Sequence, residues 1–311
     1  MTVLSRFRFI RFTIANHDSI LSLMNTPVAC PSIDACAKIN IGLHVVERRK
    51  DGYHDLDTVF FPIPLFDRLE VRVCESSDEN AGPPSCRLKI SGIAVDGATD
   101  DNLVVRAYGL LRETFDLPSV EVHLHKAIPT QAGMGGGSSD AAHMLVLLNR
   151  MFDLRLTDDE LIGHAARLGA DCAFFIKSVP SHAAGIGDIL TPLPHLSRRL
   201  AGLTLAVVKP PVAVSTKEAY AGVTPHRPAM TCREAVELPF GQWKGVLENA
   251  FEKTVFERYP QVGRIKQALE TQGALFASMS GSGSAVFGLF DRRPDMTLEA
   301  YAQCQTFLLP L

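Results

Sequence analysis

The segment Pro129-Thr130-Gln131-Ala132-Gly133-Met134-Gly135-Gly136-Gly137-Ser138-Ser139 follows a strand pattern and precedes a helical one. Successive glycines let backbone N–H groups converge without interference from Cβ, and a helix start adds unpaired N–H groups and a positive dipole end. Together these features make a cradle for phosphate. Two familiar phosphate sites fail on spacing. A P-loop ends in Gly-Lys-Ser/Thr, whereas Gly137 is followed by Ser138. The dinucleotide fingerprint needs glycine at positions 1, 3 and 6 of a βαβ unit, and counting from Gly133 the sixth residue is Ser138. A plain glycine-rich turn is the competing reading, and the unbroken run from Gly135 to Ser139 before a capped helix argues against it.

Four further places carry polar groups that phosphoryl transfer uses. Asp171 follows Gly169 and precedes the apolar run 173–176. A carboxylate there could accept a hydroxyl proton; from spacing alone a turn or helix-capping aspartate is the better reading. Lys38 stands inside an apolar strand, either as an edge lysine that blocks aggregation or as a buried cation beside Asp171 or the transferred phosphate. Tyr53 and His54 follow the tight-turn pair Asp51-Gly52, as an exposed loop aromatic or as a base-stacking ring with a hydrogen-bonding imidazole. Ser280-Gly281-Ser282-Gly283-Ser284 reads as a hairpin turn or as a second backbone contact to phosphate.

These residues need elements to hold them. Residues 35–45 alternate strictly, with Ala35, Ala37, Ile39, Ile41, Leu43 and Val45 on one face and Lys38 and Asn40 on the other. Period two predicts a half-buried strand. Further strands are expected at 69–73, 88–90 and 120–124. Helices are expected at 101–115, at 141–152 with Ser138 or Ser139 as N-cap, and at 157–168. In the last of these, Thr157 and Glu160 form a capping box and Gly169 supplies the stop. Asp140 suits the positive end of the second helix dipole. Prolines, serines and glycines concentrate at 180–187, which marks a boundary. Beyond it the pattern predicts a strand at 203–208, a helix at 216–221, helical segments at 245–257 and 261–270, and strands at 274–279 and 285–290. The expected class is α+β.

The chain has 311 residues, 46% hydrophobic and 21% charged, with a net charge of −3. This excludes a disordered or collagen-like protein and offers no basic field for nucleic acid. No apolar run reaches the ~18 residues of a membrane span. Seven cysteines, an odd number with no C-x-x-C, predict neither a disulfide framework nor a zinc site, and fit a reducing, cytoplasmic compartment. Residues 1–17 hold Arg6, Arg8 and Arg11 and no acid. They read as a disordered tail or an upstream start with Met24 as the true one, or as an organelle-targeting segment. The expected organisation is an extension at 1–27, a first domain at 28–182 and a second at 183–311.

Taken together the motifs resemble those of the GHMP kinase superfamily. Ala37-Lys38-Ile39-Asn40, Ala132-Gly133 through Ala142, and Ser278-Met279 through Ser284 stand in that family's order. Asp51-Gly52-Tyr53-His54, Gly169-Ala170-Asp171 and Leu190-Thr191-Pro192-Leu193 point to one branch of it. The resemblance implies ATP-dependent phosphorylation of the 2-hydroxyl of a cytidine-diphospho-methylerythritol, a step of non-mevalonate isoprenoid synthesis. It implies Lys38 and Asp171 as catalytic pair, residues 129–139 as the ATP phosphate loop, and Asn102 and Lys126 near the adenine. It places Asn40, Tyr53, His54 and Tyr220 on the cytidine side. Mg²⁺ should accompany ATP, with no protein metal ligand assigned. The implied partners are the two small molecules alone, without nucleic acid or membrane, in a monomer or homodimer. The implied fold is an N-terminal domain like ribosomal protein S5 domain 2 and a ferredoxin-like C-terminal domain. One departure is Cys172-Ala173, where the family often has Val-Pro. The rivals are a homoserine, mevalonate or sugar kinase of the superfamily, an ATP sensor without catalysis, and a nucleic-acid module on an S5-like fold.

Overall fold

Alternating apolar residues build two sheets. The computed structural model describes residues 30–74, 85–95 and 97–311; the expected extension at 1–27 lies outside them. Strands β1 (Ser32–Arg48) and β2 (His54–Val73) form a long antiparallel hairpin. The Asp51 carboxylate accepts the Tyr53 N–H (3.0 Å) in the turn. The other edge of β2 is shared. Strand β4 (Val120–Lys126) pairs with residues 68–73, and β5 (Ser181–Ala184) with residues 58–60. Strand β3 (Cys86–Gly92) runs parallel to β4, and β6 (Ile189–Pro192) extends the sheet from β5. The expected division between 182 and 183 therefore falls inside β5, and residues 31–311 cluster as one unit.

Helices α1 (Leu103–Arg112), α2 (Gly136–Met151) and α3 (Asp158–Leu168) bury an apolar face against Leu69, Val71, Val122 and Leu124 of this sheet. The short helix α4 (Cys172–Lys177) follows, then α5 (His195–Leu200) leads to the second sheet. There, β7 (Thr204–Lys209), α6 (Thr216–Tyr220), α7 (Cys232–Ala235), α8 (Glu252–Arg258), α9 (Pro260–Thr271), β8 (Phe276–Met279), β9 (Val286–Phe290) and β10 (Gln305–Pro310) follow in order. The sheet order β10-β7-β9-β8, all antiparallel, is the 4-1-3-2 order of a ferredoxin-like unit. Its second crossover is only the turn Glu299–Tyr301.

Three expectations change. Residues 35–45 are buried on both faces, not one. Ala37, Ile39 and Ile41 pack with Leu205, Phe287 and Trp243 around the second sheet, while Cys36 packs with Phe174 and Phe175 of α4. Helix α2 starts at Gly136, with neither Ser138 nor Ser139 as cap: Gly135 takes the N-cap position in the left-handed conformation (φ 70°). Residues 245–251 are not helical. The Leu43 N–H donates to Glu248 O (2.7 Å) and the Ala250 N–H to Leu43 O (2.8 Å), so the main chain here pairs with β1.

Candidate active site

Both glycine clusters line one cleft of ≈ 660 Å³, together with Lys38, Asn40, Asp171 and Tyr220. Strand β1 delivers Lys38, and the turn between α3 and α4 delivers Asp171. Their charged groups lie 3.5 Å apart. Asp171 occupies the N-cap position of α4 but makes no capping bond, so the capping role fails. Its side chain is 36% accessible and that of Lys38 only 4%, so the carboxylate is the group that a ligand meets. Such burial also removes the solvent-facing edge role for Lys38. The ammonium donates to Asn40 Oδ1 (2.5 Å) and lies 4.6 Å from the centre of the Phe60 ring. Asn40 in turn donates to Thr58 Oγ1 (3.0 Å).

The glycine loop of residues 129–139 is held from two sides. The Lys38 N–H donates to Met134 O (3.0 Å), tying it to β1. On the other side, the Ser280 hydroxyl donates to Gly133 O (2.8 Å) and accepts the Asn40 N–H (3.3 Å). The Ala285 N–H donates to Ala132 O (3.2 Å). The 280–284 turn is thus a hairpin connection that also braces the loop. Gly133 has φ +71°, and a Cβ there would lie 1.9 Å from Ser280 O. Of the two serines ending the loop motif, only Ser138 lines the cleft. Ser139 is fully buried and its hydroxyl donates to Cys36 O (2.6 Å), so it anchors α2 to β1.

Beneath the loop lies a buried ion triad that the sequence did not reveal. Lys126 bonds to Asp67 and, at 2.6 Å, to Asp140. Asp67 Oδ1 also accepts the N–H groups of Ala127 (2.6 Å) and Ile128 (2.8 Å). A Cβ on Gly136 would stand 3.4 Å from Lys126 Nζ, which places the ammonium directly under the helix start. Asp140 therefore serves this triad as well as the α2 dipole. The available signal was Asp67 itself, on the buried β2 face between Leu65 and Leu69. Burial pushes the Asp140 carboxyl up to about 7, against the pull of Lys126 and with help from the Asp67 charge. Burial alone would lower the Lys126 pKa, but Asp140 and Asp67 outweigh it and raise it. A carboxyl with a raised folded-state pKa contributes stability below its unfolded pKa and loses it as pH rises through the folded value. Thermal melts should accordingly show the parent losing Tm relative to Asp140→Asn between pH 5 and pH 8; parallel curves would refute the titration.

The remaining residues lie around the rim. Asn102 caps α1 by accepting the Val104 N–H (2.9 Å) and lines the cleft with Lys126. His54 stacks on Tyr220, with ring centres 4.7 Å apart and 25° between planes. Tyr53 is 61% exposed, so the ring against Tyr220 is His54, not Tyr53. Burial, helped by the Asp171 charge, pushes the Tyr220 hydroxyl up to about 12, which leaves it a donor at neutral pH. Cys172 is fully buried, and burial pushes its thiol up to about 11, so the residue beside Asp171 brings no competing nucleophile.

Comparison with known proteins identifies the family and the fold. Residues 102–178 match the GHMP kinases N terminal domain, and residues 236–302 match the GHMP kinases C terminal family. The chain is 50% identical over 262 residues to a 4-diphosphocytidyl-2-C-methyl-D-erythritol kinase of Bacteroides thetaiotaomicron, covering 84% of this chain and 92% of the relative. It is 45% identical to the Porphyromonas gingivalis protein of the same name, covering 86% and 95%. A crystal structure of 4-(cytidine 5'-diphospho)-2C-methyl-D-erythritol kinase superposes with TM-score 0.71 at 31% identity, covering 90% of this chain and 99% of that one. A mevalonate kinase structure at 10% identity, TM-score 0.64 and coverages of 90% and 98% shares the fold. The chain belongs to the GHMP kinase superfamily, within its 4-diphosphocytidyl-2-C-methyl-D-erythritol kinase family.

Proposed function

We propose that this chain transfers the γ-phosphoryl group of ATP to the 2-hydroxyl of 4-diphosphocytidyl-2-C-methyl-D-erythritol, in non-mevalonate isoprenoid synthesis. The observation that carries this reading is the Lys38–Asp171 pair opening onto the same cleft as the loop of residues 133–137. Asp171 takes the hydroxyl proton as that oxygen bonds to the γ-phosphorus, and ADP leaves. Lys38, 3.5 Å from the Asp171 carboxylate, holds that group in place and offsets charge on the moving phosphoryl group. Backbone N–H groups of the loop and the start of α2 hold the phosphates. The transition state of phosphoryl transfer is loose, so placement and charge compensation outweigh strong base catalysis.

Mg²⁺ brought by ATP would neutralise charge on the β- and γ-phosphates. Of the two aspartates that line the cleft among the described residues, Asp140 is engaged by Lys126 and Asp171 is the accessible one. That donor set suits an ion carried chiefly by phosphate oxygens and water. Leu103, Leu124 and Ile128 give the cleft an apolar lining, and with Asn102 they suit the adenine. Seven cysteines without a disulfide fit a cytoplasmic enzyme.

On the acceptor side, Tyr53 and Tyr220 flank the cytosine once His54 swings off Tyr220 to read the polar edge of the base. Stacking of a base on an aromatic ring is worth ~1–3 kcal/mol. Tyr53→Ala should therefore raise KM for the cytidine substrate about tenfold and leave KM for ATP nearly unchanged. Equal effects on both would remove Tyr53 from the base site. The deciding assay for the function is ADP release with the cytidine-diphospho substrate, homoserine and mevalonate in parallel. The proposal requires turnover with the first and would be overturned by preference for either of the others.

A further inference from the structure

Two side chains paired across the β1–β2 hairpin meet a third, distant in sequence, behind the cleft wall. His44 of β1, Asp57 of β2 and Cys232 at the start of α7 bring a ring nitrogen, a carboxylate oxygen and a sulfur within 4.8 Å of one another. All three residues are buried, and none lines the phosphate cleft. Both ring nitrogens of His44 are enclosed and have no hydrogen-bond partner among the described residues. Buried polar atoms are nearly always satisfied, and an orphan pair on one imidazole calls for a water or an ion. The carboxylate is already oriented: Asp57 Oδ1 pairs with His182 Nε2 (2.7 Å) and Oδ2 accepts the Cys232 N–H (2.8 Å). Outer partners of this kind fix ligating groups around metals.

We propose that His44, Asp57 and Cys232 form a buried zinc site, with water in the fourth position. Imidazole, carboxylate and thiolate together are a borderline donor set that suits Zn²⁺ rather than Mg²⁺ or Ca²⁺. Zinc bonds of about 2.0–2.3 Å place tetrahedral ligand atoms roughly 3.3–3.8 Å apart, so the group closes on the ion by about an ångström of side-chain movement. On binding, the thiol that now donates to Asp57 O (3.3 Å) loses its proton to solvent and the sulfur bonds the metal. Nothing is oxidised or reduced. The ion would tie β1 and β2 to α7. It would also stand one residue along β2 from Thr58, the partner of Asn40. The spacing rules for zinc sites miss this arrangement, because Cys232 lies 175 residues from Asp57.

The test uses the full untagged chain and needs no activity measurement. Zinc content of protein from zinc-supplemented cells should approach one equivalent. Metal-free protein titrated with Co²⁺ should develop the thiolate-to-cobalt charge-transfer band together with the visible bands of tetrahedral cobalt. Cys232→Ser should abolish the charge-transfer band, and His44→Gln should weaken cobalt affinity by at least the roughly 10- to 100-fold that loss of an outer partner costs, while Cys304→Ser should leave both unchanged. Added Zn²⁺ should raise Tm in the parent and not in Cys232→Ser. Absence of the charge-transfer band in the folded parent overturns the proposal whatever the variants do. A band that survives in Cys232→Ser also overturns it, because the metal then sits on another cysteine.

Discussion

Asp171→Asn should lower kcat by about 10²–10⁴, the usual contribution of a positioned acid or base, while ATP affinity stays close to the parent value. Asparagine keeps the shape of the side chain but cannot take the hydroxyl proton, and it leaves Lys38 without its carboxylate at 3.5 Å. The ammonium retains Asn40 Oδ1 and the face of Phe60, so its position should hold. The proposed ATP contacts come from the loop and the start of α2, which the substitution does not touch. Steady-state kinetics with ATP binding measured separately by calorimetry gives both numbers. Turnover within a few-fold of the parent would remove Asp171 from the reaction. A matching loss of ATP affinity would make it a binding residue.

Gly133→Ala should be the most damaging single-atom change in the loop. The position has φ +71°, and the added Cβ would meet Ser280 O at 1.9 Å, far inside any contact distance. An L-residue in the left-handed region costs about 1–2 kcal/mol, and an overpacked contact about 1–3 kcal/mol more. The chain relieves the clash only by separating residues 132–134 from the 280–285 segment, which breaks the Ser280–Gly133 bond. ATP affinity should fall with stability. Gly137→Ala is the control: a Cβ there meets nothing within 4 Å and lies inside α2, so Tm should be kept. Differential scanning calorimetry with and without ATP separates the two effects. If Gly133→Ala melts with the parent and binds ATP normally, the brace between the two glycine segments does not matter.

Much of the candidate site was readable because its signals are local. The glycine loop, the strand alternation around Lys38 and the capping box at Thr157 each depend on residues a few positions apart, and spacing decides them. Asp171 illustrates the limit. Its sequence neighbours describe a capping aspartate, and only the arrival of β1 beside α4 gives it Lys38. Ser139 reads as part of a phosphate loop, yet its partner is Cys36 O, 103 residues away. Asp67 is separated from Lys126 by 59 residues, and no window of the sequence contains both. Strands β5, β6 and β10 were missed; the first two have only four residues each and lie in or just beyond the stretch where proline, serine and glycine signal a boundary. Tertiary pairing made those two into strands against their local composition.

Strand β2 meets several demands at once. Along 20 consecutive residues it presents Asp57 to His182 and Cys232, Thr58 to Asn40, and Asp67 to Lys126. Such a strand is a ruler, and its length matters apart from its letters. Removing or adding one residue between Thr58 and Asp67 would turn every later side chain to the opposite face. Asp67 would then point to solvent and Arg68 into the core. Descendants of this gene can therefore change individual letters of the segment far more freely than they can change its number of residues.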